Sequence, residues 1–204
     1  CSACSRLYVH EKVADELLAR LVTMANETRI GDPTDKTTFL GPVGTRAGYE
    51  DFQRFAALGR RDGIILAGGE VLAEGAWGRG YFVRPTIVAG LPQDHELVKN
   101  ELFVPFLCVS RISRLDEALN LANASTFGLT AGFFSQRQEE IDAFLDGIEA
   151  GVVYVNRAAG ATTGAWPGVQ PFGGWKGSGS AGKNIGGLYS VQCYMREQSR
   201  TVTT

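Results

Sequence analysis

The sequence predicts an α/β fold, a mostly parallel sheet with crossover helices, on three observations. Short apolar, β-branched runs alternate along the chain with longer stretches of helical periodicity. Those helical stretches run roughly 10 to 15 residues, the length of a crossover between parallel strands. Finally, 44% of the 204 residues are hydrophobic and 21% are charged. That is enough apolar surface for a core and too much for a disordered chain.

The elements follow in order. Arg6-Leu7-Tyr8-Val9 reads as the first strand. From Glu11 a helix carries Val13, Leu17, Leu18, Leu21 and Met24 on one face, and Gly31-Asp32-Pro33 breaks it. A second helix begins near Thr45, turns Tyr49, Phe52 and Ala56 inward and ends near Gly59. Ile64 to Ala67 is a buried strand closed by Gly68-Gly69, and extended segments flank Pro85. Phe106 to Ile112 is another apolar strand. Ser113 and Asp116 form a capping box for a helix with Leu115, Ala118, Leu119 and Ala122 inward. Leu129 to Phe134 is extended. Ser135 and Gln138 cap the next helix, whose stripe is Ile141, Phe144, Leu145 and Ile148, and Gly151 to Val155 is the last clear strand.

After Asn156 the pattern stops. Residues 157–182 carry no clear period, but Trp166, Pro167, Pro171, Phe172 and Trp175 argue for an ordered loop that walls a site. Eleven of the 26 glycines fall between Gly151 and Gly187. So local an excess points to backbone geometry and not to low complexity.

Composition removes several function classes. Twenty basic against 22 acidic residues give a net charge of −2, which offers nothing to draw in a phosphate backbone, so no nucleic-acid partner is expected. No apolar run approaches the roughly 20 residues of a membrane span, and no charged-then-apolar leader is visible. No membrane partner is therefore expected. Four scattered cysteines make no disulfide scaffold, which fits a reducing, cytoplasmic location.

Four local motifs invite a chemical reading. Cys1-Ser2-Ala3-Cys4 reads as a redox dithiol, half a zinc site or a chance pairing; no second paired cluster completes a metal site, so no metal is expected. Gly177-Ser178-Gly179-Ser180-Ala181-Gly182 spells a dinucleotide fingerprint. It follows a Pro/Gly/Trp loop where the fingerprint needs a buried strand, and reads better as a tight loop. Glu101, at the mouth of an apolar strand beside Phe103, is either a ribose-binding carboxylate or a solvated turn residue. Cys108, within Val104 to Val109, reads as a buried inert thiol.

Resemblance narrows these alternatives. Cys1-Ser2-Ala3-Cys4-Ser5-Arg6 resembles the nucleophile segment of aldehyde dehydrogenases, in the form seen in the 1-pyrroline-5-carboxylate (glutamate semialdehyde) branch. Further matching stretches come in the family's order: Ile30-Gly31-Asp32-Pro33, Leu40-Gly41-Pro42, Gly80 to Thr86, Glu101 to Pro105, Phe127 to Gly132, Val155-Asn156 and Gln170 to Gly174. Together they cover nearly the whole chain and resemble the catalytic, C-terminal half of such an enzyme.

The resemblance implies a role for each matched residue. Cys1 is the nucleophile: its thiolate attacks the aldehyde carbon, the thiohemiacetal passes hydride to a nicotinamide, and the thioester is hydrolysed. Glu101 and Phe103 hold the nicotinamide ribose and ring of NAD, with NADP not excluded. Asn100 and Val104 depart from the family's Glu and Gly, and Val104 lacks glycine's backbone freedom. Gly164 and Ala165 either anchor a substrate carboxylate through successive N–H groups or form a plain turn. Ser2 adds a further donor, and Phe172 packs on the substrate's aliphatic stem. Asn156 matches an asparagine near the active-site floor; its alternative role is a structural hydrogen bond.

The expected layout is a catalytic domain over 1–193 and a tail strand over 194–204 that pairs with another subunit, hence a homo-oligomer. The general base, oxyanion asparagine and NAD-binding domain of the family are expected upstream of Cys1, so these 204 residues are expected to be inactive alone. The partner is a small-molecule aldehyde. Two other readings stand beside this one: a non-catalytic substrate-binding or oligomerisation module, and a Cys1/Cys4 dithiol redox protein.

Overall fold

The computed structural model describes residues 2–157, 169–179 and 185–204. The chain divides into two compact units, Cys4–Ala118 and Cys1–Ala3 with Leu119–Thr204. The first contains β1 (Arg6–His10), α1 (Glu11–Glu27), α2 (Arg46–Asp62), β2 (Ile64–Ala67), β3 (Val71–Leu72), β4 (Phe82–Val83), β5 (Thr86–Ala89), α3 (Glu96–Lys99) and β6 (Phe106–Ile112). The boundary falls inside α4 (Leu115–Asn123). The second unit adds β7 (Phe127–Gly128), β8 (Thr130–Phe133), α5 (Gln138–Gly147), β9 (Val152–Val155) and β10 (Trp175–Lys176).

In the first unit four strands pair in the order β1-β6-β5-β2. β1 and β5 flank β6 in parallel, and β2 joins the edge antiparallel. The sheet is therefore mixed, with two parallel pairs at β1-β6 and β6-β5 and one antiparallel pair at the β5-β2 edge. Alternation along β5 and β6 supplies two cores. One face packs Val88, Phe106 and Cys108 against Phe52, Phe55 and Ala56 of α2. The other packs Val9, Ile87 and Val109 against Ala14 and Leu18 of α1. Each valine, leucine, isoleucine and phenylalanine among them contributes on the order of 1.5–3 kcal/mol by leaving water.

Two helix faces differ from expectation. On α1, Val13, Leu17 and Met24 are exposed, and the buried stripe runs through Ala14 and Leu18 with Leu21, Val22 and Ala25 beside it. Both stripes have helical spacing; the small Ala14 lets the helix axis approach the sheet and decides between them. On α2, Thr45 caps the first turn by accepting from the Gly48 N–H at 3.0 Å, but the helix runs past Gly59 to Asp62. Gly59 is a packing glycine: a Cβ there would sit 3.1 Å from Val88 and 3.2 Å from Ile65. By contrast Gly68 and Gly69 are the turn signal they seemed, with φ of 70° and 90°. The Gly69 N–H donates to the buried Thr86 hydroxyl at 2.8 Å.

Both expected capping boxes shift register. Helix α4 starts at Leu115, and Ser113 bonds Glu117, its N–H donating at 3.1 Å, while Asp116 pairs with Arg114. Helix α5 has Arg137 at its N-cap. Ser135 accepts from the Arg137 N–H and donates to Glu140, and Gln138 bonds Asp142 instead. In each case the helix begins after an arginine, so the glutamate three residues past that arginine takes the role assigned to the earlier side chain.

The second unit pairs β8 with β9 in parallel and β7 with β10 antiparallel. Phe144 of α5 stacks on Phe133 at 4.9 Å and forms a small core with Ile148 and Ala150. Leu145, expected inward, is exposed. Asn123, the last residue of α4, donates to the Gly147 carbonyl at 2.7 Å and accepts from the Glu149 N–H at 2.9 Å. Residues 196–204 adopt no regular element and are exposed.

Candidate active site

In the first unit the candidate cofactor residues sit on the link from α3 to β6. Leu97 and Val98 of α3 are buried, as is Leu102, whereas Glu101 and Phe103 are exposed. Burial of Leu102 pins the middle of the link and turns its two neighbours outward. Phe103 has φ of 55° and is 75% exposed. An aromatic residue in the left-handed region is costly, on the order of 1–3 kcal/mol, and such residues cluster where a ligand is met. The link is fastened at its far end, where the Phe106 N–H donates to Val104 O at 2.7 Å and the Thr86 N–H to Pro105 O at 2.9 Å. Val104 itself does not have positive φ. The left-handed residue of this loop is Phe103, so the departure from glycine at Val104 carries no backbone strain.

The thiols divide clearly. Cys108 is buried, its Sγ donating to Leu97 O at 3.3 Å, and burial pushes it up to about 11. That is the inert thiol expected from its surroundings. Cys4 donates to Arg6 O at 3.4 Å; the residue is exposed as a whole, but desolvation of the thiol outweighs the help from Arg6 and raises its pKa. Cys193 is exposed and donates to Tyr189 O at 3.4 Å. Cys1, the candidate nucleophile, lies outside the described residues.

In the second unit Ser2 is half-buried. Phe172 is half-buried and bridged to Ile185, donating its N–H to Ile185 O at 2.8 Å. Gly164 and Ala165, with Trp166 and Pro167, lie outside the described residues, as do Ser180 to Gly182 of the glycine-rich sextet. Asn156 has φ of 54°. Its Nδ2 donates to Ser135 O at 2.8 Å and its Oδ1 accepts from the Ser135 N–H at 3.1 Å. Both ends of the amide are thus committed to one backbone unit, the structural role.

Here the glycine excess has its physical explanation. A Cβ on Gly151 would overlap the Gly173 carbonyl, and one on Gly179 would overlap the Gly174 carbonyl. Backbone meets backbone, which no larger residue permits. Sequence reasoning missed β10 and Lys176 within this stretch. Lys176 has φ of 53°, donates to Asn123 O at 2.6 Å and pairs with Glu149. A two-residue strand has no periodicity to detect.

Two open cavities lie in the first unit, and neither coincides with the candidate residues. One of about 510 Å³ is lined by Arg29, Asp32, Asp35, Trp77 and Arg84 among others, and one of about 400 Å³ by Arg46, Tyr49 and Tyr81 among others. Glu101 and Phe103 line neither cavity and are exposed.

The sequence pattern of the aldehyde dehydrogenase family matches residues 1–200. This chain belongs to the aldehyde dehydrogenase family. It is 38% identical over 189 residues to a 1-pyrroline-5-carboxylate dehydrogenase of Bacillus cytotoxicus, covering 93% of this chain and 35% of that protein. The structure of a Thermus 1-pyrroline-5-carboxylate dehydrogenase with bound NAD superposes with a TM-score of 0.85 at 33% identity, covering 94% of this chain and 36% of that one. An aldehyde dehydrogenase from Bacillus cereus in complex with NAD+ gives 0.83 at 30% identity, over 93% and 37%. The chain thus spans about a third of the length of these relatives. Its fold is the α/β fold of aldehyde dehydrogenases. Among the described residues no helix is long and apolar enough to cross a membrane.

Proposed function

We propose that this chain is the nucleophile-bearing part of an NAD-dependent aldehyde dehydrogenase, with NADP use left open. Its substrate is glutamate γ-semialdehyde, the open form of 1-pyrroline-5-carboxylate, which is oxidised to glutamate in proline catabolism. The family match across residues 1–200 supports the chemistry, and the identity to 1-pyrroline-5-carboxylate dehydrogenases supports the substrate. The observation that carries the cofactor reading is the outward pair Glu101 and Phe103 around buried Leu102. A carboxylate suits the two hydroxyls of a ribose, and an exposed ring suits the flat face of a nicotinamide.

The Cys1 thiolate would add to the aldehyde carbon, and loss of hydride from the thiohemiacetal would give a thioester, which water cleaves to the carboxylate with release of the Cys1 thiolate. Bound NAD supplies the hydride acceptor. Glu101 would hold the ribose and Phe103 would lie against the nicotinamide ring of bound NAD. Gly164 and Ala165 anchor the α-carboxylate by backbone N–H groups, Ser2 adds a donor, and Phe172 packs on the stem. Residues 194–204 pair with another subunit of a cytoplasmic homo-oligomer.

Iodoacetamide labelling of the protein that carries this chain, mapped by mass spectrometry, tests the assignment. Cys1 is expected to react at least about tenfold faster than exposed Cys193, because only an activated thiol is appreciably ionised at neutral pH. Equal rates at the two sites, or recovery of a Cys1–Cys4 disulfide, would remove Cys1 as the nucleophile.

A further inference from the structure

Three residues, Phe103, Val104 and Pro105, join buried Leu102 to β6, and the chain bends there. One of the three is left-handed: Phe103, with φ of 55°. The other two cannot take that conformation at comparable cost. Proline holds φ near −65°. Val104 is β-branched, and its place before a proline confines it further to extended backbone. The Val104 side chain is also anchored. It packs against the core cluster that includes Phe52, Val88 and Phe106, and a Cβ built on Gly48, in the first turn of α2, would meet its Cγ1 at 3.9 Å. Behind it the Phe106 N–H donates to Val104 O at 2.7 Å, closing a three-residue turn over Pro105.

We propose that Val104 is a positioning residue for Phe103: barred from the left-handed region itself, it forces the bend onto Phe103 and so holds that ring at the surface. This rests on the reading of Glu101 and Phe103 as the nicotinamide-ribose platform. Phe103 is 75% exposed, so its ring has little packing of its own to keep it in place. Given freedom, it would leave a costly backbone region for an ordinary one. Its neighbours deny that freedom. Leu102 is buried, Val104 is docked on the core, and neither has the positive φ that would let Phe103 relax. The effect passes between adjacent residues through the backbone itself, with no intervening contact. The ring is thereby placed before any ligand arrives, which spares binding part of its ordering cost.

Three variants of the 204-residue chain separate backbone exclusion from packing. NMR reads the φ of Phe103 through its HN–Hα coupling and Cα shift, and protected amides in the middle of β6 show that each variant is folded. In Val104→Ile, which keeps both the β-branch and the bulk, Phe103 should stay left-handed. Val104→Ala loses much of the packing, but a Cβ before proline still disfavours positive φ, so Phe103 should again stay left-handed. Val104→Gly lifts that bar, and the Phe103 signals should move to those of an ordinary, negative φ. Glycine is also what the family pattern carries at this position, so this variant is expected to fold.

The functional readout is a split between the two Michaelis constants. In the protein that carries this chain, Val104→Gly is expected to raise KM for NAD roughly 5- to 30-fold and to leave KM for the aldehyde unchanged, while Val104→Ile matches wild type in both. A Phe103 that stays left-handed in Val104→Gly, or that leaves this region as fully in Val104→Ala, would overturn the proposal and leave the cofactor reading standing. Release of Phe103 with no change in KM for NAD would retire the platform reading, and the positioning role with it.

Discussion

The two compact units solve the same problem, filling the space around a parallel strand pair, in different ways. Residues 4–118 bury side chains: Phe52, Val88 and Phe106 on one face of the sheet, Val9, Ile87 and Val109 on the other. Among the described residues of 119–204, the buried apolar side chains are Phe144, Ile148, Ala150 and Val152, beside glycine-to-backbone contacts and the clamps of Asn123, Asn156 and Lys176. They also leave Val169, Trp175, Leu188, Tyr194 and Val202 at the surface. Stability in the first unit comes from apolar area, which tolerates exchange for similar volume. In the second it comes from exact backbone fit and paired polar groups, which tolerate almost no exchange.

Truncating a core aromatic in each unit should give the widest separation. Phe52→Ala removes a fully buried ring and is expected to cost about 3–5 kcal/mol in chemical denaturation. Phe144→Ala, in the smaller core, is expected at the low end of that range, because exposed neighbours can collapse onto the space. Equal losses would mean the second core is as tightly organised as the first.

Alkali should act on the first unit through Cys108. Its thiol is raised in the folded state, so its contribution is fully present below the unfolded value of 9.0 and disappears as pH climbs to about 11. A shift of that size corresponds to at most roughly 3 kcal/mol. Denaturation midpoints of wild type and Cys108→Ala should therefore converge between pH 9 and 11; parallel curves would contradict burial of the thiol.

The smallest of the three effects concerns the second unit's polar clamps. Asn156→Ala loses both hydrogen bonds to Ser135 and keeps a φ that alanine dislikes, for an expected cost of about 1–3 kcal/mol. Asn156→Gly regains the conformational part but not the bonds, and should fall between wild type and alanine by thermal melting.

The same contrast explains what could be read from the sequence. Where side chains carry the structure, periodicity shows it: β6 occupies Phe106–Ile112 as expected, and Thr45 caps α2. Errors there were of phase, as with Ala14 against Val13, since two stripes on α1 have the same spacing and only tertiary packing chooses between them. Where backbone contacts and turns carry the structure, the chain offers composition without position. Glycine abundance announced close approach, yet nothing in Trp175-Lys176 announces a strand. For the site, ordered motifs pointed to Glu101 and Phe103, which the structure leaves exposed on either side of buried Leu102. The His95 cap on α3 gave no signal, because histidine is not among the favoured caps and its ring is held by Asp62, 33 positions away.

The conformation of Phe103 has one last consequence. Replacing that ring with glycine would remove a steric penalty and so should make the resting protein tougher toward heat, while widening the range of shapes the link can visit. Robustness and readiness would then move in opposite directions at a single position. A screen for heat resistance would select the very change that blunts the platform, and a screen for cofactor affinity would discard it.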